Sequence, residues 1–249
     1  MNWKKLIKRL LYIIIPIFAR STNTANILMY HSVADNDIFF TINPTDFEKQ
    51  MLYLHTNNYN VVSLENFLNG FKDGFFKKDT VVITFDDGYA DNFSNAFPIL
   101  KKYNFPATIF LTTGRIGKNY EVRGVPLDYL NWSQIKEMYN SGLVDFEPHT
   151  VNHLKLNSLD KSKQHEEIVE SKKMIEKNLN KECRAFAYPY GLYDRDTISI
   201  LKQSGFMLSF TTQKGLVNLK NNLLELPRNM ISREISMSSF AGILRVGSL

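Results

Sequence analysis

The stretch Val81-Val82-Ile83-Thr84-Phe85-Asp86-Asp87-Gly88-Tyr89 sets two adjacent carboxylates at the end of a run of β-branched and aromatic residues. Such a run reads as a buried strand. The carboxyl ends of strands are where α/β folds build their active sites. Side by side, the acids suit a division of labour in which one grips a cation and its neighbour moves protons. A strand closed by an Asp-Gly turn is the plainer reading of the same residues. Downstream, Glu147-Pro148-His149-Thr150-Val151-Asn152-His153 carries two histidines four residues apart. That spacing predicts both imidazoles on one face of a helical turn, within reach of a common cation. Two histidines and one carboxylate leave coordination positions open for water and substrate, as a catalytic metal requires. The preceding Leu143-Val144-Asp145-Phe146 reads as a strand, so this cluster also sits at a strand end. A third stretch, Ala185-Phe186-Ala187-Tyr188-Pro189-Tyr190-Gly191, reads as a strand breaking into a loop where a backbone N–H can turn toward a ligand. An ordinary aromatic turn is the alternative.

Taken together, in this order and spacing, the three stretches resemble the polysaccharide deacetylases of carbohydrate esterase family 4, the NodB-homology domain, over roughly Asn26 to Arg228. The resemblance implies a distorted, incomplete (β/α) barrel. It also implies one divalent metal on Asp87, His149 and His153, Zn²⁺ with Co²⁺ or Ni²⁺ as alternatives. Asp86 would be the general base, and the Tyr190 N–H would hold the tetrahedral oxyanion. Nothing local tells Asp86 from Asp87; that assignment rests on the resemblance. Tyr188 and Pro189 are expected at the substrate, and Trp132 resembles the family's Trp that walls the acetyl pocket, although a helix-packing Trp fits equally.

The chain departs from the common family pattern twice. Ala187 stands where most members carry an Arg that orients the base, and no histidine follows His165, where most carry a Leu-x-His. The branch most similar is that of the poly-N-acetylglucosamine deacetylases. There a histidine at the first strand serves the site, matched by His31 in Met29-Tyr30-His31-Ser32; it is the expected general acid, a strand-end cap being the alternative. Arg228, in Leu226-Pro227-Arg228, is the candidate for the missing Arg. His55 and His165 fall in helical patterns and read as surface residues.

These clusters need a scaffold of alternating strands and helices. Apolar runs predict strands at Ile27–Tyr30, Val61–Val62, Val81–Phe85, Ala107–Leu111, Ala185–Tyr188, Met207–Phe210 and near Leu223–Leu226. Helices are expected from Asn43-Pro44-Thr45 to about Tyr59, from Ser63, and over Asn92–Tyr103, Trp132–Tyr139, Lys161–Leu179 and Ser238–Val246. Strands separated by helices imply mostly parallel pairing, hence an α/β class. Gly114–Leu130 lacks periodicity and reads as a long loop, a rim or lid over the site or else a loose insertion.

The 249 residues suffice for one sizeable α/β domain, expected over residues 26–249, and are too few for two ordinary enzyme domains. A lone Cys183 rules out an internal disulfide framework. The net charge of +5 arises wholly from Lys4, Lys5, Lys8, Arg9 and Arg20, and the remainder balances 25 basic with 25 acidic residues. A basic groove for nucleic acid is therefore not indicated. Residues 1–25 form a separate segment whose apolar run, Leu10–Ala19, would reach about 15 Å as a helix, half a bilayer's hydrocarbon thickness. It reads as a signal peptide or, more readily, as a retained segment, Met1–Arg20, lying on a membrane surface with Trp3 as anchor. The inner membrane face or export to the cell envelope is the expected location. Three functions compete: a metal-dependent hydrolase removing acetyl groups from an N-acetylated amino-sugar glycan or lipid-linked saccharide, a catalytically inactive carbohydrate-binding module, and a two-metal phosphoesterase. The third needs more ligands than the clusters supply.

Overall fold

Period-two alternation along the central strands sorts their side chains into two separate cores. The computed structural model describes residues 23–122 and 124–247. Its centre is β1 (Thr24–Tyr30), β3 (Thr80–Asp87), β4 (Ala107–Leu111) and β7 (Val144–Pro148), all parallel and adjacent in that order. Beside β3 runs β2 (Asn60–Val61), and β1 carries β10 (Val217–Asn218) antiparallel and β11 (Asn229–Met230) parallel. One face of the sheet, with Leu28, Tyr30, Ile83, Phe85, Ile109 and Phe146, packs under a layer of helices. These are α1 (Pro44–Thr56), α3 (Phe97–Tyr103), α4 (Trp132–Asn140), α5 (Lys161–Leu179), α6 (Arg195–Gln203) and α7 (Met237–Val246). The opposite face encloses a smaller core of Ile27, Val82, Phe110, Ala187, Phe210 and Leu226, plugged by Leu64, Phe67 and Leu68 of α2 (Leu64–Lys72). Each fully buried aliphatic or aromatic side chain contributes about 1.5–3 kcal/mol. The helical layer therefore carries most of the stabilisation, and the narrow interior is free to hold polar groups.

The barrel does not close. A second parallel pair, β8 (Ala185–Ala187) and β9 (Leu208–Phe210), lies beside β7 without joining its ladder. Side chains stitch this seam instead. The buried Glu147 carboxylate accepts from Ala185 N at 3.0 Å and Arg184 N at 3.3 Å, while His149 Nδ1 pairs with Ala187 O at 2.7 Å. Lys181 Nζ lies 3.0 Å from Glu147 and donates to Phe146 O at 2.8 Å. The resulting α/β fold is the distorted, incomplete barrel that the resemblance implied.

The elements follow the sequence reading with four corrections. Residues 149–155 are not helical: Thr150 and His153 take positive φ (68° and 58°), so His149 and His153 meet across a loop. Gly114–Leu130 is not an aperiodic loop. It holds a short turn at Thr113–Arg115 and a hairpin of β5 (Asn119–Val122) and β6 (Val125–Asp128), reversed at Gly124 with φ 81°. Both strands are largely exposed, so no apolar alternation marked them. Leu223–Leu226 contributes one bridge, Phe210 to Leu226, rather than a strand. The helix expected from Asn92 starts as a π-turn, Asn92–Ala96, before α3. Residues 1–20, the expected membrane segment, lie outside the described residues. Among the described residues no helix is long and apolar enough to cross a membrane.

Burial pushes Glu147 up to about 7, against the opposing charge of Lys181, whose own pKa that pair raises. Because Glu147 titrates higher folded than unfolded, its proton-linked stability is full below about pH 4.5 and declines as pH rises through 7. Lys181→Met strands this carboxylate. The variant should lose about 3–5 kcal/mol at pH 8 and clearly less at pH 5. Urea unfolding at the two pH values measures this, and equal deficits would show that Glu147 is not the responsible group.

Candidate active site

Adjacent residues of a strand point to opposite faces, and this separates the two carboxylates. Asp86 shares the interior face with Val82 and Thr84. There it meets Arg228, a guanidinium with no exposed surface, in a bidentate pair: Nη1 to Oδ1 and Nη2 to Oδ2, each 2.7 Å. Arg228 also donates to Thr211 O (3.2 Å) and Thr84 Oγ1 (3.3 Å). Burial alone would raise the Asp86 pKa, but Arg228, His149 and His31 outweigh it and hold the group ionised below the usual carboxylate range. At Asp87 the backbone turns left-handed (φ 73°), followed by Gly88 at 80°, and the side chain leaves the strand for the barrel mouth.

At that mouth Asp87 meets the histidines. Its Oδ1 lies 3.3 Å from His153 Nε2 and 3.9 Å from His149 Nε2, and the three ligand atoms lie within 4.8 Å of one another. The Ala187 carbonyl can only accept, so His149 Nδ1 carries the proton and Nε2 keeps its lone pair toward Asp87. Burial lowers His153 to about 4, leaving it neutral. Asp87 Oδ1 is buried without a hydrogen-bond partner. A carboxylate oxygen so placed, facing two imidazole nitrogens, fits a divalent cation. The loop bearing His153 is held by Glu167 of α5, which accepts from Val151 N (3.1 Å), Asn152 N (2.8 Å) and Asn152 Nδ2 (2.6 Å).

His31 follows β1 and is brought to the Asp pair by side chains just beyond β3. Asn92 Nδ2 donates to His31 O at 2.8 Å, and Asp91 accepts from Ser32 Oγ (2.6 Å) and Val33 N (2.9 Å). The His31 ring packs on Phe40, and its Nδ1 is buried without a partner. Burial lowers its pKa while the charges of Asp86 and Asp87 oppose that. Tyr190 takes φ 59° in the loop after β8, its ring edge-on to His153 at 4.6 Å. The bonds Gly191 N to Tyr188 O and Leu192 N to Pro189 O close the turn around Tyr190 and leave its amide outside both. Gly191 is required: at φ 70°, a Cβ would stand 2.3 Å from Thr212 Oγ1.

The polysaccharide deacetylase family model matches residues 73–209, more than half of the chain. The chain belongs to the polysaccharide deacetylase family. Membership makes it a hydrolase, a deacetylase of glycans. The poly-beta-1,6-N-acetyl-D-glucosamine N-deacetylase of Staphylococcus aureus (strain MRSA252) is 33% identical over 223 residues, covering 86% of this chain and 76% of that protein. Among solved structures, the Streptococcus pyogenes deacetylase PplD in complex with acetate is 31% identical with a TM-score of 0.78, covering 88% of this chain and 97% of its own. IcaB from Ammonifex degensii is 26% identical with a TM-score of 0.76, covering 89% and 96%.

In this deacetylase Asp86, Asp87, His149, His153, His31, Arg228 and Tyr190 gather at one end of the barrel. Tyr188 does not face substrate. It is fully buried, its hydroxyl donating to Leu224 O at 2.8 Å and accepting from Ser209 Oγ at 2.7 Å, with its ring stacked on Tyr193. Pro189 is buried beside it, and Trp132 opens α4, half-buried against the helical core. His55 and His165 are exposed on helices. Sequence reasoning missed Glu167 and Tyr89, the latter donating to Asp87 Oδ2 at 3.0 Å. Its place directly after Asp-Asp-Gly was the available signal.

Arg228→Met should destabilise the protein by about 3–5 kcal/mol, since it strands a buried carboxylate. Adding Asp86→Asn should recover a large part of that loss. A double-mutant cycle on urea midpoints measures the coupling, and purely additive losses would exclude it.

Proposed function

We propose that this deacetylase removes N-acetyl groups from an amino-sugar glycan, polymeric or lipid-linked, using one divalent ion held by Asp87, His149 and His153, with Zn²⁺ the first choice and Co²⁺ or Ni²⁺ able to replace it. The observation that carries the reading is the unpartnered, buried Asp87 Oδ1 facing both imidazoles, next to a second carboxylate locked in its charged form. The N-deacetylase name of the Staphylococcus aureus relative and the acetate in the PplD complex support the amide and the acyl group.

A bound divalent cation supplies Lewis acidity, bringing the pKa of water toward neutrality and polarising an acetamide carbonyl. Asp86 accepts the proton of the attacking water. Arg228 occupies one lone pair on each of its oxygens, fixing the carboxylate plane and leaving the others to accept. Its lowered pKa makes Asp86 a weak base that is never idle through protonation, which suits an acidified water. The Tyr190 N–H donates to the oxyanion as the carbonyl carbon becomes tetrahedral. When the C–N bond breaks, the amine needs a proton, and His31 supplies it. Trp132 and Pro189 are assigned to the acetyl-binding wall. The basic and apolar Met1–Arg20 would hold the enzyme at a membrane surface, on the inner face or in the envelope.

Acetate release from a panel of N-acetylated glycans tests the activity, and release from none of them would refute the proposal. Chelation should abolish activity and added Zn²⁺ or Co²⁺ restore it, while His149→Ala should bind no metal. Asp86→Asn should stay folded and keep its metal yet lose activity by about 10²–10⁴-fold; loss of metal in that variant would exchange the roles of Asp86 and Asp87.

His31→Ala should keep full metal occupancy and lose most amide turnover. It should lose much less on an activated ester, whose leaving group needs no proton. Equal losses on both substrates would point to positioning instead.

A further inference from the structure

The two oxygens of Asp87 have different surroundings. Oδ1 faces the histidines, whereas Oδ2 accepts from Tyr89 Oη at 3.0 Å. Behind Tyr89 stands Tyr129, with ring centroids 4.9 Å apart. Behind Tyr129 stands Arg115, whose Nη1 donates to the Tyr129 hydroxyl at 2.8 Å. Arginine only donates and an ionised carboxylate only accepts, so Arg115 donates to the Tyr129 hydroxyl and Tyr89 donates to Asp87.

Water has little access to these residues. Tyr89 and Tyr129 are 2% and 3% exposed, Phe40 stacks on Tyr89 at 5.7 Å, and the Arg115 guanidinium lies over the Tyr120 and Tyr129 rings at 5.2 and 5.5 Å. Arg115 also ends the turn that pairs with the histidine loop, through Thr113 N to Thr150 O (3.1 Å) and Gly114 N to Val151 O (2.8 Å). One turn thus touches both sides of the ligand set. A Cβ on Gly114 would stand 2.6 Å from Val151 O, so glycine permits that close approach.

We infer that Tyr89, backed by the stacked Tyr129 ring and its Arg115 anchor, is a positioning residue that restricts Asp87 to coordination through Oδ1 alone. The inference rests on the single-metal reading above. A carboxylate free to use both oxygens would fill, with two histidines, four positions around the ion. One oxygen fills three and leaves a tetrahedral position for water, with expansion for the substrate carbonyl. The tyrosines would thus protect the vacancy at which chemistry occurs, without touching substrate.

The test titrates Co²⁺ into the metal-stripped full-length wild type, Tyr89→Phe and Tyr129→Phe, reading the visible d–d spectrum, the affinity and the steady-state kinetics. Tyr89→Phe should bind Co²⁺ about 10- to 100-fold more weakly, the usual cost of a lost outer partner. Its band should weaken as the coordination number rises, and kcat should fall more than KM changes. Tyr129→Phe, which keeps the Tyr89 hydroxyl but releases the Arg115 anchor of the ring packed on it, should shift all three in the same direction by less. Wild-type affinity and band shape in a folded Tyr89→Phe would overturn the inference. Should that variant not fold, an unchanged Tyr129→Phe would do the same. A wild type that takes up no Co²⁺ would instead overturn the metal reading itself, and this inference with it.

Discussion

The buried pair between Arg228 and Asp86 is the interaction on which this site turns. A guanidinium without solvent exposure costs several kcal/mol in lost hydration, tolerable only when its donors are matched. Here two go to Asp86, others reach Thr211 O and Thr84, and the ring faces of Phe110 and Phe210 lie 5.5 and 5.8 Å from its carbon centre. The pair ties the segment leading into β11 to the end of β3 across the barrel interior. It also gives two neighbouring carboxylates different chemistry. Asp86 is charged, rigid and saturated on one side, while Asp87 has an oxygen to spare.

The open seam between β7 and β8 extends the same economy. Where backbone pairing fails, Glu147 and His149 reach across with side chains, and a cavity of about 460 Å³ lies below, lined in part by Lys181, Arg184 and Leu208. His149 therefore serves twice. Its Nδ1 proton closes the barrel, and that bond fixes the tautomer which leaves Nε2 available. Barrel geometry and ligand geometry are coupled through one imidazole ring.

Backbone strain gathers at the same end of the molecule. Asp87, Thr150, His153 and Tyr190 all take positive φ without being glycine. Such conformations cost about 1–3 kcal/mol each and persist only where the surroundings hold them. The holding groups are visible: Glu167 under the histidine loop, Thr150 Oγ1 accepting from His153 N at 2.9 Å, and Thr212 Oγ1 donating to Tyr190 O at 3.3 Å. Most of these supports are polar side chains on neighbouring elements, far from their clients in sequence.

That distance marks the limit of what the chain's sequence determined. The strands ending in Asp86-Asp87 and at His149, the Pro-Tyr-Gly loop and the main helices were legible because apolar period and turn residues are local signals. The same held for the residue types of the Asp87, His149 and His153 cluster. Even His31 and Arg228, outside the family model's span of residues 73–209, could be proposed from the resemblance, which asks for a histidine at the first strand and for an arginine in place of Ala187. What sequence could not supply was direction. Which aspartate faces the interior depends on where β3 abandons its alternation, and that is set by φ at Asp87. The histidines were expected on a helical turn because spacing alone favours it, but Glu167, fourteen residues beyond His153, wins the loop conformation. The β5–β6 hairpin was hidden because neither strand buries a full face. Tyr188 read as a substrate contact, yet its hydroxyl is spent on Leu224 O, a partner only the folded chain brings near. Residue types, local periods and the order of the three motifs were enough to identify the family. The tertiary structure alone decided which oxygen, which nitrogen and which face each group presents, because hydrogen bonds between distant segments set those choices.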